Sequence, residues 1–291
     1  MLNFIRFDIK KLFLMRGFWI ALIIFVLFCG MTLIIDSMDY HATFEDYQTS
    51  QTALNEMAEN EGSGDIRIEV ESTQNLLTEE EYLIYKEQLR ERMTITDFSL
   101  SSYGITIVIA YIFFALFVGN DFSSGYLKNM LALRGAKWKW VTSKIVVAVV
   151  FNLVMYLVAL GFGVLYEISA GQFPAAINLG HLVLNFLLYS LLFILIMLLN
   201  VALLLIFQSK VTIMVVSTLL SMGLHINILN QIGNLTGLDL TSYFYSIRLQ
   251  NMGMDYQGLI IPALVSGLIS FLLLYSFNRW YVYRVDFKFE S

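Results

Sequence analysis

Charged side chains are scarce in this 291-residue chain: Lys, Arg, Asp and Glu make up 14% of it, against 58% hydrophobic residues and a mean hydropathy of +0.69. A water-soluble domain carries roughly a quarter charged residues, so the scarcity excludes an ordinary aqueous surface and points to lipid as the solvent. Cysteine is nearly absent. The single one, Cys29, lies inside the first apolar run, which excludes an intrachain disulfide and fits a small buried apolar residue. No G-x-x-x-x-G-K-[ST] run occurs, so this chain has no P-loop for ATP phosphates. There is no G-x-S-x-G and no H-E-x-x-H, and His41, His181 and His225 lie scattered without metal-ligand spacing. No catalytic residue, no metal ligand and no cofactor is therefore assigned to the chain, and nothing points to nucleic acid.

What is present is a set of six long apolar runs, at 17–35, 101–119, 141–167, 181–207, 211–229 and 258–277. About 20 helical residues cross a hydrocarbon core of roughly 30 Å. Backbone in lipid must satisfy its own hydrogen bonds, which leaves helices or closed barrels, and these runs lack the alternating polarity of barrel strands. The expectation is an all-α membrane protein with six transmembrane helices. Arg6, Lys10, Lys11 and Arg16 precede the first run as in a signal peptide, but its length and the lack of a small-residue cleavage site predict a retained anchor.

Charge is distributed unevenly. With six crossings, the N-terminus, the segment 120–140, the connection at 208–210 and the tail 278–291 share one side, together with Lys128, Arg134, Lys137, Lys139, Lys144, Lys210, Arg279, Arg284 and Lys288. The other side holds Arg67, Lys86, Arg90, Arg92 and Arg248. The positive-inside rule then places both termini and 120–140 in the cytoplasm. Residues 36–100 form an external segment dense in Asp and Glu, too long for a simple connector. Within it, TEEEYLIYKEQLRER reads as a helix: Thr78 and Glu81 fit a capping box, and Lys86, Arg90 and Arg92 fall toward its C-terminal end. Residues 45–75 read as loosely structured. The acidity is either a solvated face or a surface that attracts cationic peptides. A second external connection, 230–257, carries Leu238, Leu240, Tyr243, Phe244 and Ile247 at the spacing of one helix face and is expected to lie in the interface or dip back into the protein.

The segment 120–140 is short, basic and helix-forming. Asp121 with Ser123 or Ser124 makes a suitable start, Leu127, Met130, Leu131 and Leu133 an apolar face, and Gly135 a stop, giving a helix of about ten residues. Trp138 and Trp140 sit where an interfacial aromatic belt would open the next span. Residues 1–16 repeat Leu2, Ile5, Ile9 and Leu12 at helical spacing beside the polar Asn3, Arg6, Lys10 and Lys11, which predicts an amphipathic helix lying along the inner membrane surface. Inside the spans, Asn152, Tyr156, Asn185 and Asn200 are the polar residues to account for; they either hydrogen-bond between helices or line a translocation path. Glu167 is expected to end the third span in water.

An interfacial N-terminal helix, six spans, and, after the second span, an acidic residue, an aromatic, two small residues and Gly, then Lys-Asn, a later Arg and Ser-Lys, resemble the permease subunits of ABC-2 type exporters. The positions are Asp121, Phe122, Ser123, Ser124, Gly125, Lys128, Asn129, Arg134, Ser143 and Lys144. Tyr126 stands where many relatives carry Thr. The resemblance implies that Asp121, Phe122, Ser124, Gly125, Lys128, Asn129, Arg134 and Lys137 belong to a coupling helix that docks on a separate ATPase. It implies two copies of that ATPase carrying ATP and Mg, a second permease copy or a sibling, and the bacterial cell membrane. It also implies a re-entrant connection at 235–249. The long ectodomain resembles peptide- or drug-related subgroups, and a bundle expected to hold no buried charge favours amphipathic or antimicrobial-type peptides as substrate. Drugs, glycans or ions, and a non-transporting immunity or peptide-sensing protein, are the alternatives.

Overall fold

A computed structural model describes residues 1–49, 52, 78–127, 136–171, 179–237, 245–246, 249 and 256–284, with backbone alone at 91, 92, 233 and 256–259. Among the described residues all regular structure is helical. In chain order the helices are α1 (Leu2–Leu14), α2 (Arg16–His41), α3 (Glu79–Arg92), α4 (Ile95–Ser101), α5 (Tyr103–Ser123), α6 (Ala136–Ser169), α7 (Leu179–Phe207), α8 (Lys210–Ser221), α9 (Leu224–Thr236) and α10 (Tyr256–Arg284).

Five stretches are long and apolar enough to cross a membrane: Arg16–His41, Ile95–Ser123, Ala136–Ser169, Leu179–Phe207 and Ile260–Arg284. The chain is thus an all-α, multi-pass membrane protein. The sixth expected run, 211–229, is not one straight helix. It breaks between α8 and α9, which diverge by 66°. Gly223 sits in the break at φ +82, a left-handed conformation that glycine alone adopts without a steric penalty. The second run also differs from its expected end at 119. Helix α5 continues to Ser123, Ser124 caps it, and Gly125 turns the chain at φ +69, so Asp121 closes this span instead of opening the next helix.

By compactness the chain divides into two units: Met1–Leu27, Leu100–Ala159 and Asn178–Ser291 in one, Phe28–Ser99 and Leu160–Ile177 in the other. In the first, α5 packs on α7 and α8, and α7 on α8 and α10. An aromatic core fills it: Phe113 stacks on Phe151 at 4.9 Å, and Phe18, Phe114 and Phe193 meet the Phe151 ring edge-on or tilted. Such ring pairs add about 1 kcal/mol each beyond area burial.

In the second unit, α4 lies so close to the C-terminal part of α6 that a Cβ on Gly163 would come within 3.2 Å of the Ile95 backbone. Tyr166 donates to Asp36 at 2.9 Å and packs on Phe98. Glu167 is buried here, contrary to the solvated end expected of it. Residues 44–49 are helical, against the loose structure expected from 45 on, because Thr43 and Asp46 cap each other's backbone and side chain. Residues 53–77 lie outside the described ones.

The capping box at Thr78 is present as read: the Thr78 hydroxyl accepts from Glu81 N, and the Glu81 carboxylate accepts from Thr78 N at 2.8 Å. Those hydrogen bonds hold the Glu81 carboxyl below its ordinary value. A depressed carboxylate stabilises the fold above the unfolded value of 4.5 and loses that contribution as pH falls through the lower, folded one. Protection of the first-turn amides of α3, taken relative to their intrinsic exchange rate at each pH, should therefore fall on acidification below pH ~4, and Thr78→Ala should remove that pH dependence.

Candidate functional site

Four charged side chains meet at the end of the first unit that carries the N-terminus. Asp8 of α1, Asp121 of α5 and Lys144 of α6 are 1%, 1% and 0% exposed. Lys144 donates to Asp8 at 2.8 Å and to Asp121 at 2.6 Å. Lys11, one turn after Asp8 on α1, pairs with the other oxygen of Asp121 and donates to the Phe117 carbonyl at 3.1 Å. The Trp140 indole donates to Asp121 at 2.8 Å, and the Ser143 hydroxyl to Asp8 at 2.5 Å. Both lysines also lie against the Phe117 ring, at 4.4 and 4.8 Å from its centroid.

Local sequence explains how each group arrives. Asp8 shares a helix face with Ile5, Ile9 and Leu12, at spacings of three and four, so burying Leu12 buries Asp8 with it. Asp121 projects from the last turn of α5, and Trp140, Ser143 and Lys144 occupy consecutive turns of α6. The ionised groups balance, two against two, which is the condition under which buried charge is tolerated. Burial pulls the Lys11 ammonium below its ordinary value, opposed by the charge of Asp121.

More of the same end is tied together around this network. Phe7 of α1 stacks on Tyr126, just past α5, at 4.8 Å with the rings 13° apart. Burial, with the Asp8 and Asp121 charges nearby, pushes the Tyr126 hydroxyl up. Lys210, at the start of α8, donates to Asn120 at 2.5 Å. A Cβ on Gly119 would come within 2.8 Å of the Lys210 side chain, so a glycine lets the lysine cross here. Arg279 of α10 lies over the Trp138 ring at 5.5 Å.

Two expectations are corrected here. The bundle does hold buried charge, which removes the argument from an uncharged bundle to amphipathic or antimicrobial-type peptides as substrate. Trp140 is a buried donor to Asp121 and not a residue of the interfacial belt.

Of the expected coupling residues, Asp121 is the centre of the network. Phe122 is half-buried, Ser124 is the exposed cap of α5, Gly125 makes the turn, and Lys137 is half-buried in the first turn of α6. Lys128, Asn129 and Arg134 lie outside the described residues, as do Leu238, Leu240, Tyr243, Phe244 and Ile247 of the expected re-entrant connection. On α1, Arg6 and Lys10 are exposed, as is Arg16 at the start of α2, whereas Lys11 turns inward.

The intramembrane polar residues are all buried within the unit, and hydrogen bonds between helices hold Asn152, Tyr156 and Asn200 in place. Asn152 donates to Ser190 at 2.9 Å, Tyr156 to the Leu182 carbonyl at 2.9 Å, and Asn200 accepts from Ser217 at 2.5 Å. These bonds join α6 to α7 and α7 to α8. Asn185 is buried beside them.

Asp8 is the member of this network that the sequence did not single out. Its signal was an acid inside an otherwise apolar helical stripe, next to the polar set Asn3, Arg6, Lys10 and Lys11 that drew attention instead. Among the described residues no group of His, Cys, Asp or Glu is placed to hold a metal. No known protein family, no curated protein and no solved structure matches the chain.

Proposed function

We propose that this chain is the six-span membrane subunit of an ATP-driven exporter, with the charge network as the joint through which movement of the segment 120–140 reaches the bundle. The observation that carries the reading is the double grip of α1. Asp8 is held by Lys144 and Ser143 on α6, Lys11 by Asp121 on α5, and Phe7 by Tyr126. Both stems of the segment are thus fastened to one surface helix, and a force on the segment is delivered to α1, α5 and α6 together.

In this reading α8 and α9 form a sixth, broken span, both termini and 120–140 face the cytoplasm of a bacterial cell, and the chain works with a second permease. ATP and Mg are bound and consumed on two separate ATPase chains that grip Lys128, Asn129, Arg134 and Lys137. The acidic segment 36–100 supports a cationic, peptide-like substrate.

The test is purification of the tagged full chain from native membranes. Wild type should bring with it an ATP-hydrolysing chain, and Lys128→Glu with Arg134→Glu should release that chain while leaving the yield of the membrane subunit unchanged. An intact complex in the double variant overturns the docking assignment. The exporter reading falls if no ATP hydrolysis accompanies wild type, or if a cysteine introduced at Asn129 is labelled by an impermeant reagent from outside the cell.

A further inference from the structure

In the second unit, the last turn of α2, the helix at 44–49 and the start of α3 enclose an open cavity of about 600 Å³. Asp39, Asp46 and His41 are its polar lining, and Tyr47, Tyr82 and Tyr85 its aromatic wall; among the described residues no Lys or Arg lines it. Tyr82 is the fixed centre. It is 5% exposed and its hydroxyl donates to the Ala42 carbonyl at 2.8 Å. Tyr47 and Tyr85 flank it, with centroids at 5.2 and 6.5 Å and rings tilted by 35° and 33° against it, and Phe44 supports it at 5.5 Å. The three rings thus form a tilted wall, with carboxylates elsewhere in the same lining.

Three further observations indicate what such a wall would bind. A neighbouring ring already takes an ammonium: Lys86 lies 5.6 Å over Tyr40, outside the lining, and donates to the Ala42 carbonyl at 3.2 Å. Thr43 holds the Asp46 carboxyl below its ordinary value, so it stays ionised. Met38, which lines the cavity, ends an exposed apolar stripe on α2 made by Met31, Ile34 and Ile35 at spacings of three and four. A charged cavity therefore opens at the end of a strip that lipid or an alkyl chain would cover.

We propose that this cavity binds an organic cation, the guanidinium or alkylammonium head of a cationic amphiphile, with Tyr47 and Tyr85, held in place by the buried Tyr82, receiving the charge, Asp39 and Asp46 balancing it, and the apolar part lying along Met38, Ile34 and Met31. Ring faces and carboxylates together select a cation over a neutral group of equal shape. A zwitterionic head would bring a phosphate against Asp39 and Asp46, which disfavours it. The proposal deepens the exporter reading by naming the chemistry of the cargo, and rests on it only for the statement that the ligand is cargo.

Binding can be measured on the full chain alone, in phosphatidylcholine nanodiscs without any ATPase, so its failure and the failure of the exporter reading are separate results. The probe is hexylguanidinium, with uncharged hexylurea as its isostere, titrated by saturation-transfer NMR against empty nanodiscs. Hexylguanidinium should bind about tenfold more tightly than hexylurea, and Tyr47→Leu with Tyr85→Leu should weaken it by about tenfold while leaving hexylurea unchanged. Lys86→Gln removes a like charge that stands beside the cavity and should tighten hexylguanidinium severalfold, a gain that loss of structure cannot produce. Equal affinity for the two probes, an unchanged affinity in the double leucine variant, or no tightening in Lys86→Gln overturns the proposal.

Discussion

Lys144→Met should lower the stability of the chain by roughly 3–5 kcal/mol, the cost of leaving a buried charge without its partner. The size follows from the geometry. Lys144 is fully buried and holds two carboxylates, Asp8 and Asp121, at 2.8 and 2.6 Å. Methionine fills the volume and supplies neither the charge nor the donors. One negative charge is then uncompensated among side chains that water does not reach. The measurement is the midpoint of thermal unfolding in detergent, followed as loss of the monodisperse peak on size exclusion.

The accompanying variant distinguishes charge balance from packing. Asp8→Asn with Lys144→Met restores neutrality, since Lys11 still pairs with Asp121, and should recover ~1 kcal/mol or more relative to the sum of the single effects. Strict additivity would show that the four residues do not act as one balanced unit. An unaltered midpoint in Lys144→Met would show that the lysine is not confined as described.

Gly267→Val should be the second most damaging substitution, at about 1–3 kcal/mol for an overpacked contact. A Cβ at Gly267 of α10 would meet Leu191 of α7 at 2.6 Å and the Tyr245 ring at 2.9 and 3.1 Å. Leu191 can rotate away. Tyr245 cannot do so freely: it is 3% exposed and its hydroxyl donates to the Leu188 carbonyl at 2.6 Å. Small residues at such positions let helices approach closely in lipid, so valine here separates α10 from α7. Tyr245→Leu combined with Gly267→Val should recover part of the loss in the same thermal assay, and the absence of any recovery would exclude Tyr245 as the obstacle.

The long apolar runs were legible because lipid imposes a length and a polarity that few other structures imitate, and five of them became helices at the expected places. The cap at Thr78 was legible for a similar reason, since its partners lie three residues apart. What escaped depended on contacts with no sequence spacing. Asp8 reaches Lys144 across 136 positions, and nothing in either neighbourhood names the other. The burial of Trp140 and Lys144 was missed because tryptophan and lysine at the edge of a span normally mark the interface. A length rule reads straight over Gly223, although a single glycine in an apolar run is the residue that permits the break. At 120–140 the composition suggested a helix starting at Asp121, whereas the span claims that residue through its pairing with Lys11 and Lys144.

The separation between Asp8 and its counter-ions also sets an order for biogenesis. Helix α1 is translated before α5 and α6, carrying a carboxylate on the face it will bury, but Lys144 follows only after α5 and the turn at Gly125. Until α6 is made, Asp8 lacks the ammonium that pairs with it, so its carboxylate stays in water and α1 cannot take its final seat. Docking of the first helix is thereby made a late event, conditional on correct insertion of the second and third spans.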